Sequence, residues 1–482
     1  MTRTKPLRYT LNMRNTYNYP IKLENVIQHY PWGSDTLIPE LLGVQNKPAT
    51  PFAELWMGSH PRGPSKLKLS EQFNAQTGTQ PITQPDTQPS TQPDTEVDLN
   101  SAIKEFPHDF LGPAADRFPE GLPFLFKVLA AAQPLSIQAH PNRRQAQEGY
   151  ACENSAGIPI DAFERNYRDK NHKPEIICAL TSFTAMCGFK EPAEVESWYL
   201  RAIPEIYKNK IAPHKYSDSN SDLNSDLNSS PKLRDVRDSA FGSGSKNESE
   251  DNHVPSGFSS SEWLQSFFEN IMNLNEEDMR SLIETLQTWA HSFKGQYKEA
   301  ELISTFYDQH GINVGVQAPL FLNLVELAPG EALYQPAGVL HAYVQGMGVE
   351  LMANSDNVLR GGLTKKHVDV PELLKVLTFE PRPADILRGK KAKGQFLRYP
   401  VPIDEFELQK LRAKKTMTQK CSERTSIEIG ICTQGEFRLD LDSGKKSINL
   451  VRGESFVVPY AAGDYTLSGR GELYVATIPK EG

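Results

Sequence analysis

Short apolar segments bounded by glycine and proline run through most of this 482-residue chain. Segments of this length and composition favour strands over helices. The predicted strands cover residues 122–129, 133–140, 175–189, 318–327, 331–335, 339–352 and a series from 427 to 478. Many short strands at such spacing are typical of jelly-roll β-sandwiches and closed barrels. We therefore expect a mainly β fold.

One turn sequence occurs twice. Residues 330–336 and 453–459 both begin with Gly-Glu and end in Pro. The first copy continues to His341, whereas the second is not followed by a histidine. Such an internal sequence repeat indicates a duplicated structural unit. It predicts two jelly-roll domains, one able to bind a metal and a C-terminal one that is metal-free.

A helical pattern occupies the chain between residue 259 and about residue 308. Ser259 and Glu262 have the spacing of a capping box, and apolar residues follow at i, i+3, i+4 and i+7. This pattern predicts two amphipathic helices whose aromatic residues pack in a core.

Two low-complexity stretches interrupt the chain. Residues 77–95 repeat Thr-Gln-Pro, which is too rich in proline for a helix and too polar for a buried strand. Residues 216–257 repeat Ser-Asp-Leu-Asn and continue through Ser, Gly, Asn and Asp, so they cannot bury enough apolar area to offset the entropy of ordering. We expect a surface loop from the first stretch and disorder from the second.

Charge and composition exclude several classes of partner. The chain has 52 Lys and Arg against 60 Asp and Glu, a net charge of −8, and so offers no broad basic field to nucleic acid. No stretch approaches the roughly 18 apolar residues of a membrane span, and the basic N-terminus lacks the apolar core of a secretory signal. The five cysteines are scattered, as reduced core thiols are. We expect a cytoplasmic protein that binds neither nucleic acid nor membrane.

Two segments carry polar residues in an arrangement that suits a metal centre. Ser136, Gln138 and His140 alternate along a predicted strand and therefore share one face. Lys173 and Glu175 flank a proline that favours extended geometry, so their side chains should point together.

A third segment, a Pro-x-Gly turn, delivers His341. With Gln138, His140 and Glu175 it would supply two imidazoles, one carboxylate and one amide oxygen, a set that suits a divalent ion of borderline softness such as zinc. Such a centre can orient the hydroxyl and carbonyl oxygens of a polyol without redox chemistry. From spacing alone, each of the four could instead be an isolated polar residue at a strand end.

The motif Gly330-x5-Pro336-x-Gly338-x2-His341 resembles the second metal-binding motif of the cupin superfamily, with Gln345 where that motif often has Asn. With it, five ordered segments are similar to those of the type I mannose-6-phosphate isomerases: Tyr30 to Ser34 (YPWGS), Glu54 to Pro61 (ELWMGSHP), Leu135 to Pro141 (LSIQAHP), Asn171 to Glu175 (NHKPE) and His341 through Lys366. The resemblance runs from about residue 21 to the C-terminus outside the two inserts.

The resemblance implies a zinc-dependent aldose–ketose isomerase that interconverts mannose 6-phosphate and fructose 6-phosphate with one zinc ion per chain. By the family pattern the zinc ligands are Gln138, His140, Glu175 and His341, and Arg360 is the active-site arginine. Ser136 and Lys366 resemble the positions that bind the phosphate. The chain departs from the pattern at Lys365, where the family usually has proline.

The implied reaction moves a proton between C1 and C2 through an enediol, so it needs a base, a partner for the developing oxyanion and an anchor for the phosphate. Arg360 suits either of the last two roles, because its guanidinium is always charged and forks its donors. Lys173 and His172 lie beside a metal ligand, and Glu350 is a third candidate base or acid. The sequence leaves the choice among these three open.

Two other functions fit many of the same residues. A cupin dioxygenase would hold iron, although the amide ligand Gln138 favours zinc and non-redox chemistry. A non-catalytic sugar-binding protein would not require Lys173, Arg360 and Lys366. Metal analysis and an assay for fructose 6-phosphate separate these alternatives. We expect a monomer whose partner is a small sugar phosphate.

The resemblance also predicts the domain boundaries. Residues 21–190 and 310–375 form a catalytic cupin domain with the low-complexity insert at about 72–98, residues 191–309 form a helical domain with the insert at about 216–257, and residues 385–482 form a C-terminal metal-free cupin-like β domain.

Overall fold

The computed structural model describes residues 17–69, 97–213, 259–392, 394–441 and 446–480. The repeats at 77–95 and 216–257, predicted as a surface loop and a disordered segment, lie outside the described residues. The strands are Ile21–Glu24 (β1), Val26–Gln28 (β2), Glu54–Met57 (β3), Lys66–Lys68 (β4), Phe124–Ala131 (β5), Ile137–Ala139 (β6), Glu175–Ala179 (β7), Phe183–Phe189 (β8), Leu322–Leu327 (β9), Glu331–Gln335 (β10), His341–Ala353 (β11), Leu359–Gly362 (β12), Ile386–Arg388 (β13), Lys390–Lys391 (β14), Phe396–Tyr399 (β15), Glu407–Cys421 (β16), Glu428–Leu441 (β17), Ser447–Val451 (β18), Ser455–Val458 (β19) and Tyr465–Thr477 (β20). The α-helices are Leu37–Leu42 (α1), Leu99–Glu105 (α2), Pro107–Leu111 (α3), Ala114–Arg117 (α4), Arg143–Ser155 (α5), Pro192–Ala202 (α6), Pro204–Ile206 (α7), Ser260–Met272 (α8), Glu276–Phe293 (α9), Lys298–His310 (α10), Ala318–Phe321 (α11) and Val370–Val376 (α12).

The strands form two antiparallel sheets. In the first, the order is β13-β10-β7-β11-β5-β3-β2, and β6, β8, β9 and β12 join it beside the start of β11. Strand β11 is the long central member: its first residues pair with β6 and β8, and its later residues pair with β5 and β7. The sheet therefore branches at the N-terminal end of β11.

The second sheet has the order β14-β15-β16-β20-β17-β19-β1-β4, with β18 paired to β17. Its strands come mostly from the C-terminal part of the chain, but β1 and β4 come from the N-terminal part. Lys22 in β1 makes an ion pair of 2.7 Å with Glu454, next to the β1–β19 pairing. The N-terminal segment is thus an integral part of this sheet.

The repeated turn has the same construction in both copies. Gly330 and Gly453 have φ angles of +91° and +88°, which glycine adopts without steric cost. The following residue closes the turn in each case: Glu331 accepts the backbone N–H of Ala328 at 3.0 Å, and Glu454 accepts that of Val451 at 2.9 Å. The sequence repeat therefore reflects the same turn geometry, which occurs once in each sheet.

The chain divides into two compact units, of which one consists of Gly188–Asn323 and Thr378–Pro383 and the other of the remaining residues. The smaller unit is helical. Ser259 and Glu262 form the predicted capping box at the start of α8, with both reciprocal hydrogen bonds present. Trp263 and Phe267 are buried there, and their rings stack at 5.3 Å. The prediction of amphipathic helices α8 and α9 is confirmed.

The predicted class, mainly β with a helical insertion, is confirmed. The predicted strand 318–327 is wrong in its first four residues, which form α11 with Pro319 in its first turn. Proline fixes φ near the helical value and has no N–H to donate to a sheet, so it favours the helical turn at this position.

Candidate metal centre

Strand register brings the predicted ligands together. Glu175 is the first residue of β7, His341 is the first residue of β11, and His140 directly follows β6. Gln138 in β6 lies opposite His341 on one side and opposite Arg360 in β12 on the other. Side chains of directly opposed residues share one face of a sheet, so one row of the sheet carries residues from three distant parts of the chain.

Three of the four predicted ligands form a buried cluster. Nε2 of His140 lies 3.4 Å from one carboxylate oxygen of Glu175, and Nε2 of His341 lies 3.4 Å from the other. The ligand atoms all lie within 4.8 Å of one another, and each residue is only 1% exposed.

Hydrogen bonds at the far side of each ring select the tautomer. The Nδ1 atom of His140 lies 2.8 Å from the carbonyl oxygen of Asn357, and that of His341 lies 2.9 Å from the carbonyl oxygen of Val339. A carbonyl accepts only, so Nδ1 carries the proton in both rings and Nε2 keeps its lone pair. Such outer hydrogen bonds are the usual support of metal-bound histidines.

The cluster contains polar atoms that the protein itself does not satisfy. His140 Nε2 and Glu175 Oε2 are buried and have no hydrogen-bond partner among the described residues. An imidazole lone pair and a carboxylate oxygen are both acceptors, and burying them in one cluster without a donor is unfavourable. A cation between them satisfies both, so the residues present fit a metal ion.

Local electrostatics hold His140 and Glu175 in the protonation forms that could bind a metal ion. Burial lowers the pKa of His140 to about 4, and the neighbouring cation Lys173 lowers it as well. Burial by itself would raise the pKa of Glu175, but Lys173 and His140 outweigh it and hold that pKa well below its usual value. At neutral pH the imidazole of His140 is therefore neutral and the carboxylate of Glu175 is ionised, as ligation requires.

The fourth predicted ligand, Gln138, lies at the edge of the cluster. Its amide is half-buried, and its Nε2 is 3.5 Å from Nε2 of His341. Rotating the amide by half a turn exchanges its nitrogen and oxygen and would place the oxygen there instead. Ser136 is half-buried two residues earlier in the same segment.

The structure places the three candidate acid–base residues in different surroundings. Lys173 Nζ lies 3.1 Å from Glu175 Oε1, directly beside the cluster. His172 instead contacts Glu405, with its Nε2 2.8 Å from the carboxylate. Glu350 is 2% exposed and accepts a hydrogen bond of 2.5 Å from Lys127.

Lys127 was missed by the sequence reasoning. It is buried in β5, and its Nζ also lies 3.4 Å from Glu54. Burial by itself would lower its pKa, but Glu350 and Glu54 raise the pKa above its usual value, so this lysine stays charged. A single lysine inside the otherwise apolar segment Phe124–Ala131 was the available signal, since an unpaired buried charge is not tolerated.

A group of cations lies close together around Lys366. Arg168, Arg360 and Lys366 have no ion-pair partner among the described residues. Burial lowers the pKa of Lys366, and the positive charges of Arg360, Arg168 and Arg62 lower it further. Arg62 differs from the others because it is paired with Asp356. Arg168 was another residue missed by the sequence reasoning, since no motif marked it.

Comparison with known proteins identifies relatives over most of the chain. The family model described as phosphomannose isomerase type I, catalytic domain, matches residues 21–192. Mannose-6-phosphate isomerase from Shigella flexneri is 36% identical over 460 residues, covering 94% of this chain and 98% of the relative. The human mannose-6-phosphate isomerase is 30% identical over 454 residues, covering 89% and 91% respectively.

Solved structures agree with these relatives. The apo form of mannose 6-phosphate isomerase from Salmonella typhimurium superposes with a TM-score of 0.75 at 33% identity, covering 96% of this chain and 100% of that one. A mannose 6-phosphate isomerase bound with zinc and yttrium gives a TM-score of 0.76 at 32% identity with the same coverage. The predicted cupin-type jelly-roll class is confirmed. Within the part of the chain that the structure describes, no helix is long and apolar enough to cross a membrane.

Proposed function

The chain belongs to the mannose-6-phosphate isomerase family, and on that premise we propose that it interconverts mannose 6-phosphate and fructose 6-phosphate as a zinc-dependent aldose–ketose isomerase. The observation that carries this proposal is the buried cluster of His140, Glu175 and His341 with its unsatisfied acceptor atoms. These three residues and Gln138 would hold the ion. We further propose one zinc ion per chain, a monomeric enzyme and a cytoplasmic location.

When bound, the metal supplies a positive charge that orients substrate oxygens and stabilises negative charge as it develops on them. The chain provides the rest. Buried strands carry the ligands, so their rotamers are fixed before substrate arrives, and a preorganised site avoids the cost of reorganisation during the reaction. His140 and Glu175 need no change of protonation at neutral pH to act as ligands.

The surroundings of the three candidate residues indicate which of them transfer the proton between C1 and C2. Glu350 is nearly inaccessible and is engaged by Lys127, which suits a role in holding that lysine rather than in contacting substrate. Lys173 and His172 lie on the segment that enters β7, beside the ligand Glu175. We therefore assign proton transfer to Lys173 and His172.

The substrate phosphate is assigned to the unpaired cations. Arg168, Arg360 and Lys366 crowd like charges together, and a phosphate dianion would relieve their repulsion through charge-assisted hydrogen bonds. Ser136 lies in the segment that leads to Gln138 and can donate its hydroxyl to the same group. Arg360 lies opposite Gln138 in the sheet, and on that placement we also assign its guanidinium to the stabilisation of an enediolate.

The alternatives raised by the sequence lose support. An iron dioxygenase and a non-catalytic sugar-binding protein would share the cupin motif with an isomerase. The relatives named above are isomerases, and the match covers nearly their whole length. Lys173 contacts Glu175, and Arg360 lies opposite Gln138 in the sheet, which supports an isomerase over both alternatives.

The test combines metal analysis with a coupled assay that follows fructose 6-phosphate formation from mannose 6-phosphate. Wild-type protein should contain about one zinc per chain, and His341→Ala should lose both zinc and activity while remaining folded. His291→Ala, on the exposed face of α9, is the matched control and should keep both. Full activity in a metal-free preparation would contradict the proposal.

A further inference from the structure

A buried carboxylate from the C-terminal part of the chain reaches the proposed site. Glu405 lies just before β16, a strand of the second sheet, and is 6% exposed. Its oxygen Oε1 lies 2.8 Å from Nε2 of His172, which is 233 positions away in the sequence. Arg143, at the start of α5, donates to the same carboxylate. The contact therefore links the segment before β7 to the segment that enters the second sheet.

Glu405 is ionised in this setting. Burial by itself would raise its pKa, but the hydrogen bond and charge of His172 and the charge of Arg143 lower it below its usual value. An ionised carboxylate can only accept hydrogen bonds, so Nε2 of His172 must carry a proton to satisfy the contact. Nη2 of Arg143 also lies 3.1 Å from Nε2 of His172, but a guanidinium can only donate. With the proton of His172 on Nε2, the hydrogen bond of Arg143 goes to Glu405.

This arrangement gives His172 the opposite tautomer to the proposed zinc ligands. In His140 and His341 the proton is on Nδ1 and Nε2 faces the metal cluster. In neutral His172 the proton is on Nε2, and Nδ1 is left as the acceptor. No hydrogen bond from a described residue occupies that Nδ1. Catalytic carboxylate–histidine pairs have the same arrangement. The carboxylate accepts a hydrogen bond from one protonated ring nitrogen, and the other ring nitrogen is left free to take a proton.

We propose that Glu405 is a positioning residue for the isomerisation: it holds His172 in the tautomer and orientation in which Nδ1 exchanges a proton with the substrate. The inference rests on the proposed function. It gives the metal-free C-terminal domain a part in the reaction, because that domain supplies the carboxylate. It also explains why a charged residue is buried there, since Glu405 has His172 and Arg143 as partners.

The experiment measures kcat and KM for mannose 6-phosphate in Glu405→Gln and Glu405→Ala, with zinc content and thermal unfolding recorded for each. Glu405→Gln keeps the shape of the side chain but loses its charge. Its amide N–H can donate to an unprotonated Nε2 of His172, which would favour the tautomer with the proton on Nδ1. Both variants should lower kcat about 10-fold or more with KM within about 3-fold, because acid–base catalysis by one residue contributes on the order of 10² or more. Glu407→Gln is the matched control. Its carboxylate, two residues further on, pairs with Arg398 at 3.5 Å, and the variant should behave as wild type.

A double-mutant cycle with His172→Ala separates positioning from a structural role. If Glu405 acts through His172, adding Glu405→Ala to His172→Ala should lower kcat no further. If the kcat losses of the two single variants multiply in the double variant, the inference is overturned. A kcat per zinc-loaded chain in Glu405→Gln that equals that of wild type would overturn it as well. A lower unfolding temperature with unchanged kcat would show that the residue only stabilises the fold. Failure of the proposed function is distinguishable, because the wild-type enzyme itself would then form no fructose 6-phosphate.

Discussion

The depressed pKa of His140 has a measurable effect on the stability of the metal-free protein. In the unfolded chain a histidine binds a proton near its ordinary pKa of about 6.5. In the folded chain burial lowers this pKa to about 4. Between these values the unfolded state binds more protons than the folded state, so the free energy of unfolding decreases as pH falls. The stability is fully present above the unfolded pKa.

The size of the effect follows from the two pKa values. Each unit of separation corresponds to about 1.4 kcal/mol. Integrated from about pH 7.5 to about pH 4.5, His140 alone should remove about 2.5 kcal/mol from the free energy of unfolding. Glu175 acts in the same direction but mainly below this window, because the unfolded glutamate binds a proton only near its ordinary pKa of about 4.3, and it adds at most roughly 0.4 kcal/mol by about pH 4.5.

The assay is chemical denaturation at a series of pH values, with a chelator present to exclude metal. The difference between His140→Gln and wild type isolates the contribution of this imidazole from that of every other group. Gln138→Ala, on the same strand, removes a proposed ligand that does not titrate and should keep the full acid-induced loss. An equal loss of stability on acidification in His140→Gln and in wild type would show that the imidazole is not buried in its neutral form.

Three further predictions concern other parts of the chain. Arg360→Ala should lower kcat about 10²-fold or more with a smaller change in KM, whereas Lys366→Ala should mainly raise KM; steady-state kinetics with indistinguishable variants would contradict this division. Glu350→Gln should destabilise the protein by about 2–4 kcal/mol, because it leaves the buried ammonium of Lys127 with one partner, and thermal unfolding measures the loss. Gly453→Ala should also be destabilising, by roughly 1–3 kcal/mol, because its φ is +88° and the new Cβ would meet the backbone at the end of α1 at 2.6 Å.

Local patterns in the sequence predicted local structure. The capping box at Ser259 and the paired Gly-Glu turns depend on contacts within three or four residues, so the sequence alone contains both partners. The metal cluster was predictable for a related reason. His140, Glu175 and His341 each stand at a strand end in a recognisable motif, although only the register of β6, β7 and β11 brings them together.

Features that depend on distant pairing were not predictable. The pairing of β1 with β19 joins segments more than 400 residues apart, and nothing in the short segment Ile21–Glu24 indicates it. Lys127 could be recognised as an odd residue in an apolar strand, but its partners Glu54 and Glu350 come from other strands. Glu405 had no motif at all, because its significance lies in its contact with His172, which is 233 positions away in the sequence.

The face on which the side chain of Glu350 lies depends on an irregularity in β11. A strict alternation of side chains along the strand would assign it to the wrong face. Counting from His341 along an ideal strand, residues two apart share a face, so Glu350 would lie on the opposite face. The pairing of β11 with β8 shifts register between Tyr343 and Gln345, which marks a β-bulge. An extra residue in one strand reverses the alternation beyond it.

The bulge therefore returns Glu350 to the face of the metal cluster. Tyr343, on the near side of the bulge, is buried, which raises the pKa of its hydroxyl, and the neighbouring charge of Glu350 and a hydrogen bond to it raise that pKa further. The following Gly346 has a φ of +119°, and a Cβ there would meet the carbonyl oxygen of Ser182 at 2.5 Å. Glycine is thus required where β11 exchanges one set of neighbours for the other. The same irregularity places the Lys127–Glu350 pair on the face that carries the predicted metal ligands, where the charge of Glu175 helps to raise the pKa of Lys127.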